Sequence, residues 1–164
     1  MNLIISDTTA LIILAKTNNL QLLTNFVDIV YVPNSVMQEL EYKNDKVKNI
    51  IQKASFIQVK LLSCEIPDDI LQSNLDKGEI EAIALALETK LSLIIDEKAG
   101  RKFAMEKGVN IIGLLGILKA NLSRKYISYT DLLYILDEFK SVDFRVSKKL
   151  EKEFLNSLFN EYSG

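Results

Sequence analysis

Five short segments rich in Ile, Val and Leu, "NLIIS", "DIVYV", "FIQVK", "LSLII" and "VNIIG", recur along the chain, and most of the sequence between them has helical periodicity. That alternation implies an α/β fold, a parallel sheet with helices on its faces. The first and fourth segments are almost continuously apolar, as strands covered on both sides are, so they are expected at the centre and side by side. The second and third are more mixed and suit outer positions.

Helix starts are marked by cap residues. "VPNSVMQELE" offers Asn34 or Ser35 as an N-cap, with Gln38 three residues beyond Ser35, and "LDKGEIEAIALALE" sets Asp76 and Glu79 at capping-box spacing. "SYTDLLYILDEF" and "VSKKLEKEFLNSLF" add two amphipathic helices, the second with Leu150, Phe154, Leu155 and Leu158 on one stripe. The polar stretch "EYKNDKVKN" and the segment around Pro67 read as exposed connections. With 164 residues, 48% of them hydrophobic, the chain can bury one proper core, so residues 1–164 are expected to form a single domain. The helices at about 128–160 pack on that domain or on a partner, as an amphipathic stripe does in a groove.

Composition removes several kinds of chemistry. There is no histidine, which excludes serine–histidine and cysteine–histidine triads and the commonest zinc and copper ligand. The single cysteine, Cys64, excludes an internal disulfide and a cysteine-rich zinc cluster. The longest apolar stretch, "IIGLLGIL", is far short of the roughly 20 residues a membrane crossing needs. "MNLIISD" has no basic leader and reaches Asp7 too early for an export signal, so a soluble, cytoplasmic protein is expected. A net charge of −2 says nothing for or against nucleic acid, because basic residues can cluster locally. Hydrolytic chemistry here has to rest on carboxylates, which bind hard cations such as Mg²⁺ or Mn²⁺.

Asp7 directly follows the first strand segment and Asp96 the fourth, and ligands of open parallel sheets bind beyond the carboxyl ends of the strands where the strand order reverses. Glu39 lies about one turn into the helix after the second segment, and Glu79 in the first turn of the helix leading to the fourth. Taken singly, each acid has an ordinary role. Asp7 and Asp96 are placed to cap the helices that follow them, Glu79 to complete a box with Asp76, and Glu39 to sit in solvent beside Val36, Met37 and Leu40. Taken together, acids from separate segments at one end of a sheet repel one another, and their company makes sense mainly around a cation.

"IISDTTALIILAK", "VPNSVMQEL", "DKGEIEAIALALE", "LIIDEKAGRKFAMEKGVNIIGLLGIL" and "DFRVS", in this order over almost the whole chain, resemble the PIN-domain family, particularly its VapC-like prokaryotic branch. The resemblance implies a three-layer α/β/α domain, a magnesium- or manganese-dependent ribonuclease site, and service as the toxin of a toxin–antitoxin pair with a small antitoxin protein as partner. It also implies an acidic quartet of Asp7, Glu39, Glu79 and Asp96, with Thr8 or Thr9 supporting Asp7. Homodimers are typical of such relatives. The chain departs from the better-known toxins in carrying glutamate at position 79 where they have aspartate, and in lacking their Thr or Ser before the last acid. Two neighbours compete for the ligand roles. Glu81 lies roughly 200° round the helix from Glu79 and tends to face elsewhere, and Glu97 is one residue further from the strand end than Asp96.

The chemistry expected of such a set is metal-assisted hydrolysis of a phosphodiester by water. Lys98, Arg101 and Lys102, at the start of the helix after Asp96, are candidates for holding substrate phosphates, and Lys43, Lys46 and Lys48 form a second basic group. Apart from Arg101, for which the two readings balance, these basic residues read first as solvated helix faces, and Tyr31 and Tyr42 as packing residues. The rival expectation is an inert module of the same fold that binds nucleic acid or protein. A receiver-like phosphoacceptor fits poorly, since "SDTT" lacks its acid pair and "NIIGLL" its lysine.

Overall fold

The computed structural model describes residues 1–43 and 45–162, with the side chain of Lys43 left out. The five apolar segments form one sheet: β1 (Leu3–Ser6), β2 (Ile29–Val32), β3 (Ile57–Val59), β4 (Leu93–Ile94) and β5 (Ile111–Ile112). Every pairing is parallel and the order is β3-β2-β1-β4-β5. β1 is therefore central, with β4 paired beside it through Ser6 and Ile94. β2 is not an outer strand. It is paired on both sides, with β3 at one edge and β5 at the other, and its alternating burial reflects cover that is heavier on one face.

Neighbouring residues of the central strands feed opposite cores, as the pleat requires. Ile4, Val30, Val32 and Ile94 join one cluster, whereas Ile5, Leu93 and Ile95 join another. The first cluster is covered by α1 (Thr8–Lys16), α3 (Asn34–Lys43), α4 (Asp45–Lys53) and α8 (Leu114–Ser123). The second is covered by α6 (Lys77–Thr89) and α7 (Lys98–Glu106), through Ala82, Ile83, Leu85, Ala86 and Ala104. The result is a three-layer α/β/α arrangement. α2 (Gln21–Thr24) and α5 (Asp68–Leu71) are single turns in connections.

The stretch "EYKNDKVKN" is mostly helical rather than a connection. It spans the end of α3 and the start of α4, where Val47 and Ile51 reach the core beneath a charged outer face. The start of α3 also departs from expectation. The Met37 amide bonds to the Pro33 carbonyl, which places Asn34 and Ser35 inside the first turn rather than at the cap. Ser35 instead donates from its amide (3.3 Å) and its hydroxyl (2.5 Å) to the carboxylate of Glu81 on α6.

α9 (Tyr129–Ser141) opens with a capping box of Ser128 and Asp131 and sends Leu132, Leu136 and Phe139 into the larger core. α10 (Lys148–Tyr162) adds Leu158 to that core, with Phe154 and Leu155 packed against it, while Leu150 stays half exposed.

Candidate active site

The parallel order brings two acids to one crevice. Asp7 is one residue beyond the Ser6–Ile94 pair and donates its amide to the Ile94 carbonyl at 3.1 Å, and Asp96 lies two residues beyond Ile94 on the adjacent strand. Strand order reverses between β1 and β4, where an α/β sheet opens a cleft at its carboxyl end.

Asp7 occupies the N-cap position of α1, yet its side chain forms no capping hydrogen bond. It is only 2% exposed, and its Oδ1 has no partner among the described residues. Burial holds its pKa well above the usual carboxylate range, the charge of Asp96 adds to this, and Glu79 and Asp76 add more. The Ala10 amide, which does not reach capping geometry, offsets only part of that rise. A cap residue that declines its cap bond and is buried among like charges is poorly explained by helix stability alone.

Asp96 does act on a helix. Its carboxylate accepts the amide of Leu114, the first residue of α8, at 3.1 and 3.3 Å. Burial pushes its pKa up to about 6 despite that bond and the nearby Arg101 charge, with Glu97 raising it further. The backbone is crowded here. A Cβ on Gly113 would lie 2.8 Å from the Asp96 Oδ1 and would also meet the Arg101 guanidinium, so a side chain there would require both of these groups to shift.

Glu79 has both of the roles that the sequence set against each other. It completes the capping box with Asp76, its amide donating to Asp76 Oδ1 (2.8 Å) and its carboxylate accepting the Asp76 amide (3.2 Å). It is also buried at the crevice, and its pKa is raised by that burial, then by Asp76, and further by Glu97 and Glu39. Gly100 in the first turn of α7 passes close by, since a Cβ there would meet Glu79 Oε1 at 2.8 Å and Ile95 Cδ1 at 2.7 Å. Glu39 on α3 is held by the buried Thr8, whose hydroxyl donates to Glu39 Oε2 at 2.8 Å. Thr9 is half-buried one residue along α1.

The structure therefore gathers Asp7, Thr8, Glu39, Glu79 and Asp96, with the exposed Glu97 at the rim, and turns Glu81 away to Ser35. Asp76, which sequence reasoning treated only as a cap, belongs to the same electrostatic group, because it raises both Asp7 and Glu79. Its signal was its place three residues before Glu79. Lys98 and Arg101 flank Asp96 on the wall of a cavity of about 920 Å³, and Lys102 is exposed on the same helix. The second basic group is elsewhere. Lys46 donates to the Lys16 carbonyl at 3.1 Å, Lys48 is exposed, and the Lys43 side chain lies outside the described residues. Tyr31 carries Lys60 over its ring at 5.1 Å, and Tyr42 is exposed.

A profile of the family DUF3368, described as a PIN domain, matches residues 3–160. The chain belongs to the PIN-domain family. PIN domains are generally nucleases that bind nucleic acid and use divalent metal ions. Among solved structures, the chain is similar to a PilT N-terminus domain protein from the hyperthermophilic archaeon Sulfolobus solfataricus P2, at 24% identity over 74% of this chain and 94% of that one, with a TM-score of 0.49. No curated protein matches the chain. Among the described residues, no helix of this PIN domain is long and apolar enough to cross a membrane.

The donors suit a hard divalent cation in kind. They are carboxylate oxygens, one is buried with no hydrogen-bond partner, and three of the acids are held above their usual pKa in ways that positive charge would relieve. They converge without closing, for among the described residues no group of three or more is placed to hold an ion.

Proposed function

We propose that this PIN domain is a Mg²⁺- or Mn²⁺-dependent endoribonuclease, hydrolysing RNA phosphodiester bonds at the crevice formed by Asp7, Glu39, Glu79 and Asp96. The observation that carries the reading is the buried Asp7, which caps nothing and leaves Oδ1 unpartnered beside the Asp96 charge. Asp7 and Asp96 are the residues that would hold the ion, with Glu79 and Glu39 completing its surroundings. When bound, such an ion supplies positive charge to a phosphate and lowers the pKa of water.

This chain's own residues do the rest. Thr8 orients Glu39, the Asp76 box fixes the rotamer of Glu79, and the α8 amide of Leu114 aims Asp96. Arg101 and Lys98, beside Asp96, offer positive charge to the phosphate of the strand being cut. With no histidine in the chain, proton transfer falls to water and carboxylates. Attack by water in line with the leaving 3′ oxygen gives 5′-phosphate and 3′-hydroxyl ends.

The VapC-like motifs support a narrower reading as the toxin of a toxin–antitoxin pair, with a small antitoxin as partner and a homodimer as the working form. The spread of the acids favours one rival, an inert PIN-fold module that binds nucleic acid or protein. One experiment separates the two. Wild type is expected to cleave RNA with magnesium or manganese and to stop in EDTA, and Asp7→Asn is expected to lose at least about 100-fold, the scale of removing an electrostatic element of a site. Equal cleavage by the two proteins sinks the assignment of Asp7.

A further inference from the structure

The β3 edge of the sheet is open. Lys60 donates its amide to the Val32 carbonyl and the Phe56 carbonyl accepts the Val30 amide, so the even-numbered residues of this strand face β2. The residues between them point their backbone groups the other way. The Ile57 amide turns back to the Ala54 carbonyl at 3.0 Å, which leaves the Ile57 carbonyl, both groups of Val59 and the Leu61 amide aimed outwards from an edge that pairs with no further strand. Val59 and Leu61 share the strand face of the buried Ile57, yet they are 42% and 68% exposed. Natural edges are commonly guarded by a charge or a proline. Here Lys60 is drawn over the Tyr31 ring, 5.1 Å from its centroid, on the opposite strand face, and the strand itself holds no proline.

The two ends of this edge differ in charge. Lys53, exposed at the end of α4, precedes the strand, whereas the exposed Glu65 and Asp68 follow it, and none of them has an ion-pair partner among the described residues. Asp69 is already held by Lys107. A surface with as many outward donors as acceptors, and with opposite charge at its ends, is complementary to itself under a two-fold rotation. Set antiparallel about Val59, two copies exchange the Val59 amide and carbonyl, and each Leu61 amide reaches the Ile57 carbonyl opposite, so every outward group finds a partner. The same rotation brings Lys53 of one copy towards Glu65 and Asp68 of the other and covers Val59 and Leu61. A basic peptide strand would satisfy the hydrogen bonds but leave Lys53 facing like charge. We propose that the β3 edge binds a second copy of this chain, antiparallel and centred on Val59, joining two five-stranded sheets into one. This pairing does not rest on the hydrolase or toxin reading, and it leaves uncovered the cavity beside Asp96, which reaches β5 at the opposite edge.

The test is sedimentation velocity on the full chain over a concentration series. Wild type is expected to pass from monomer to dimer as concentration rises, since an interface built on so short a strand has a modest affinity. Val59→Pro removes the central amide at an edge position that the ladder with β2 does not use, so the monomer is expected to keep its far-ultraviolet circular dichroism while the dimer is lost. Lys53→Glu and Glu65→Lys are each expected to raise the dimer dissociation constant by about 2–30-fold, the range for two exposed ion pairs lost together, and the double variant K53E/E65K is expected to recover most of that loss. In a Cys64→Ser background, Val59→Cys lies on the rotation axis, where opposed Cα atoms are about 5.5 Å apart and within disulfide reach. It is expected to oxidise to a covalent dimer, whereas Leu71→Cys, at a position 51% exposed, is not.

A chain that stays monomeric at every concentration overturns the proposal. So does a dimer that Val59→Pro leaves intact, or oxidation at position 71 as ready as at position 59. Should Val59→Pro lose its fold, recovery in the double charge variant upholds the pairing and failure to recover overturns it. Whether the chain cleaves RNA has no bearing on either result.

Discussion

Replacing Asp96 by Asn is expected to stabilise the metal-free protein near neutral pH. Asp96 is pushed from the ordinary 3.8 to about 6 in the fold, a rise of roughly two units. Each unit is about 1.4 kcal/mol, so ionised Asp96 costs the native state about 3 kcal/mol relative to the unfolded chain at about pH 7.5. The sign follows from proton binding. Between about pH 4 and pH 6 the native state holds a proton that the unfolded chain has released, so stability falls as pH rises through the folded pKa. Asparagine does not ionise, and its Oδ1 can still accept the Leu114 amide that Asp96 holds at 3.1 Å. Thermal unfolding in EDTA at about pH 7.5 is therefore expected to show Asp96→Asn melting up to about 6–12 °C above wild type, given roughly 2–4 °C per kcal/mol for a chain of this size. Near pH 4.5 the advantage is expected to shrink to about 1 kcal/mol, because native Asp96 is then protonated. Added magnesium or manganese is expected to stabilise wild type more than the variant, narrowing the gap. If Asp96→Asn instead melts lower at neutral pH, or by an amount that does not change with pH, Asp96 is structural and the argument for strained carboxylates fails.

Thr8→Val removes the hydroxyl that orients Glu39 and is expected to weaken the magnesium dependence of cleavage by about 10–100-fold, as losses around metal ligands do, read as the midpoint of a magnesium titration. Gly100→Ala places a Cβ within 2.8 Å of Glu79 Oε1 and 2.7 Å of Ile95 in a packed helix. Urea unfolding is expected to show a net loss of about 1–2 kcal/mol, since crowding outweighs the gain in helix propensity, with lower activity as Glu79 is displaced. A more stable, fully active variant contradicts that contact. Glu81→Ala, which strips the acceptor from Ser35 at the start of α3, is expected to cost about 1 kcal/mol in the same assay while leaving metal-dependent cleavage intact. Loss of cleavage in a folded Glu81 variant returns that residue to the site.

Asp7 and Asp96 were legible because each ends a nearly unbroken apolar run, and such runs are central strands whose carboxyl ends face a cleft. Glu79 was legible as a capping residue and as a site acid, but not as both at once, because one-dimensional spacing does not show that the start of α6 lies at the crevice. The helix α4 was missed for a local reason. Val47, Ile50, Ile51 and Ala54 are spaced for one helix face, so the signal was present, but the flanking charges outweighed it; packing against α1 and α3 then buries that face. Glu81 and Ser35, 46 residues apart, and the meeting of Arg145 with Lys119 in the cavity beside Asp96 depend on contacts between distant segments, which local periodicity does not encode.

Two of the crevice acids also launch helices, Glu79 by closing the box that starts α6 and Asp96 by receiving the first amide of α8, whereas Asp7 starts nothing. In a descendant released from its chemical task, an acceptor at 79 and at 96 would still be kept for folding, and the aspartate at 7 would be the first to drift, because losing it relieves an electrostatic burden. On the proposed hydrolase reading, the identity of residue 7 is thus the simplest marker, among copies of this fold, of which ones keep the reaction.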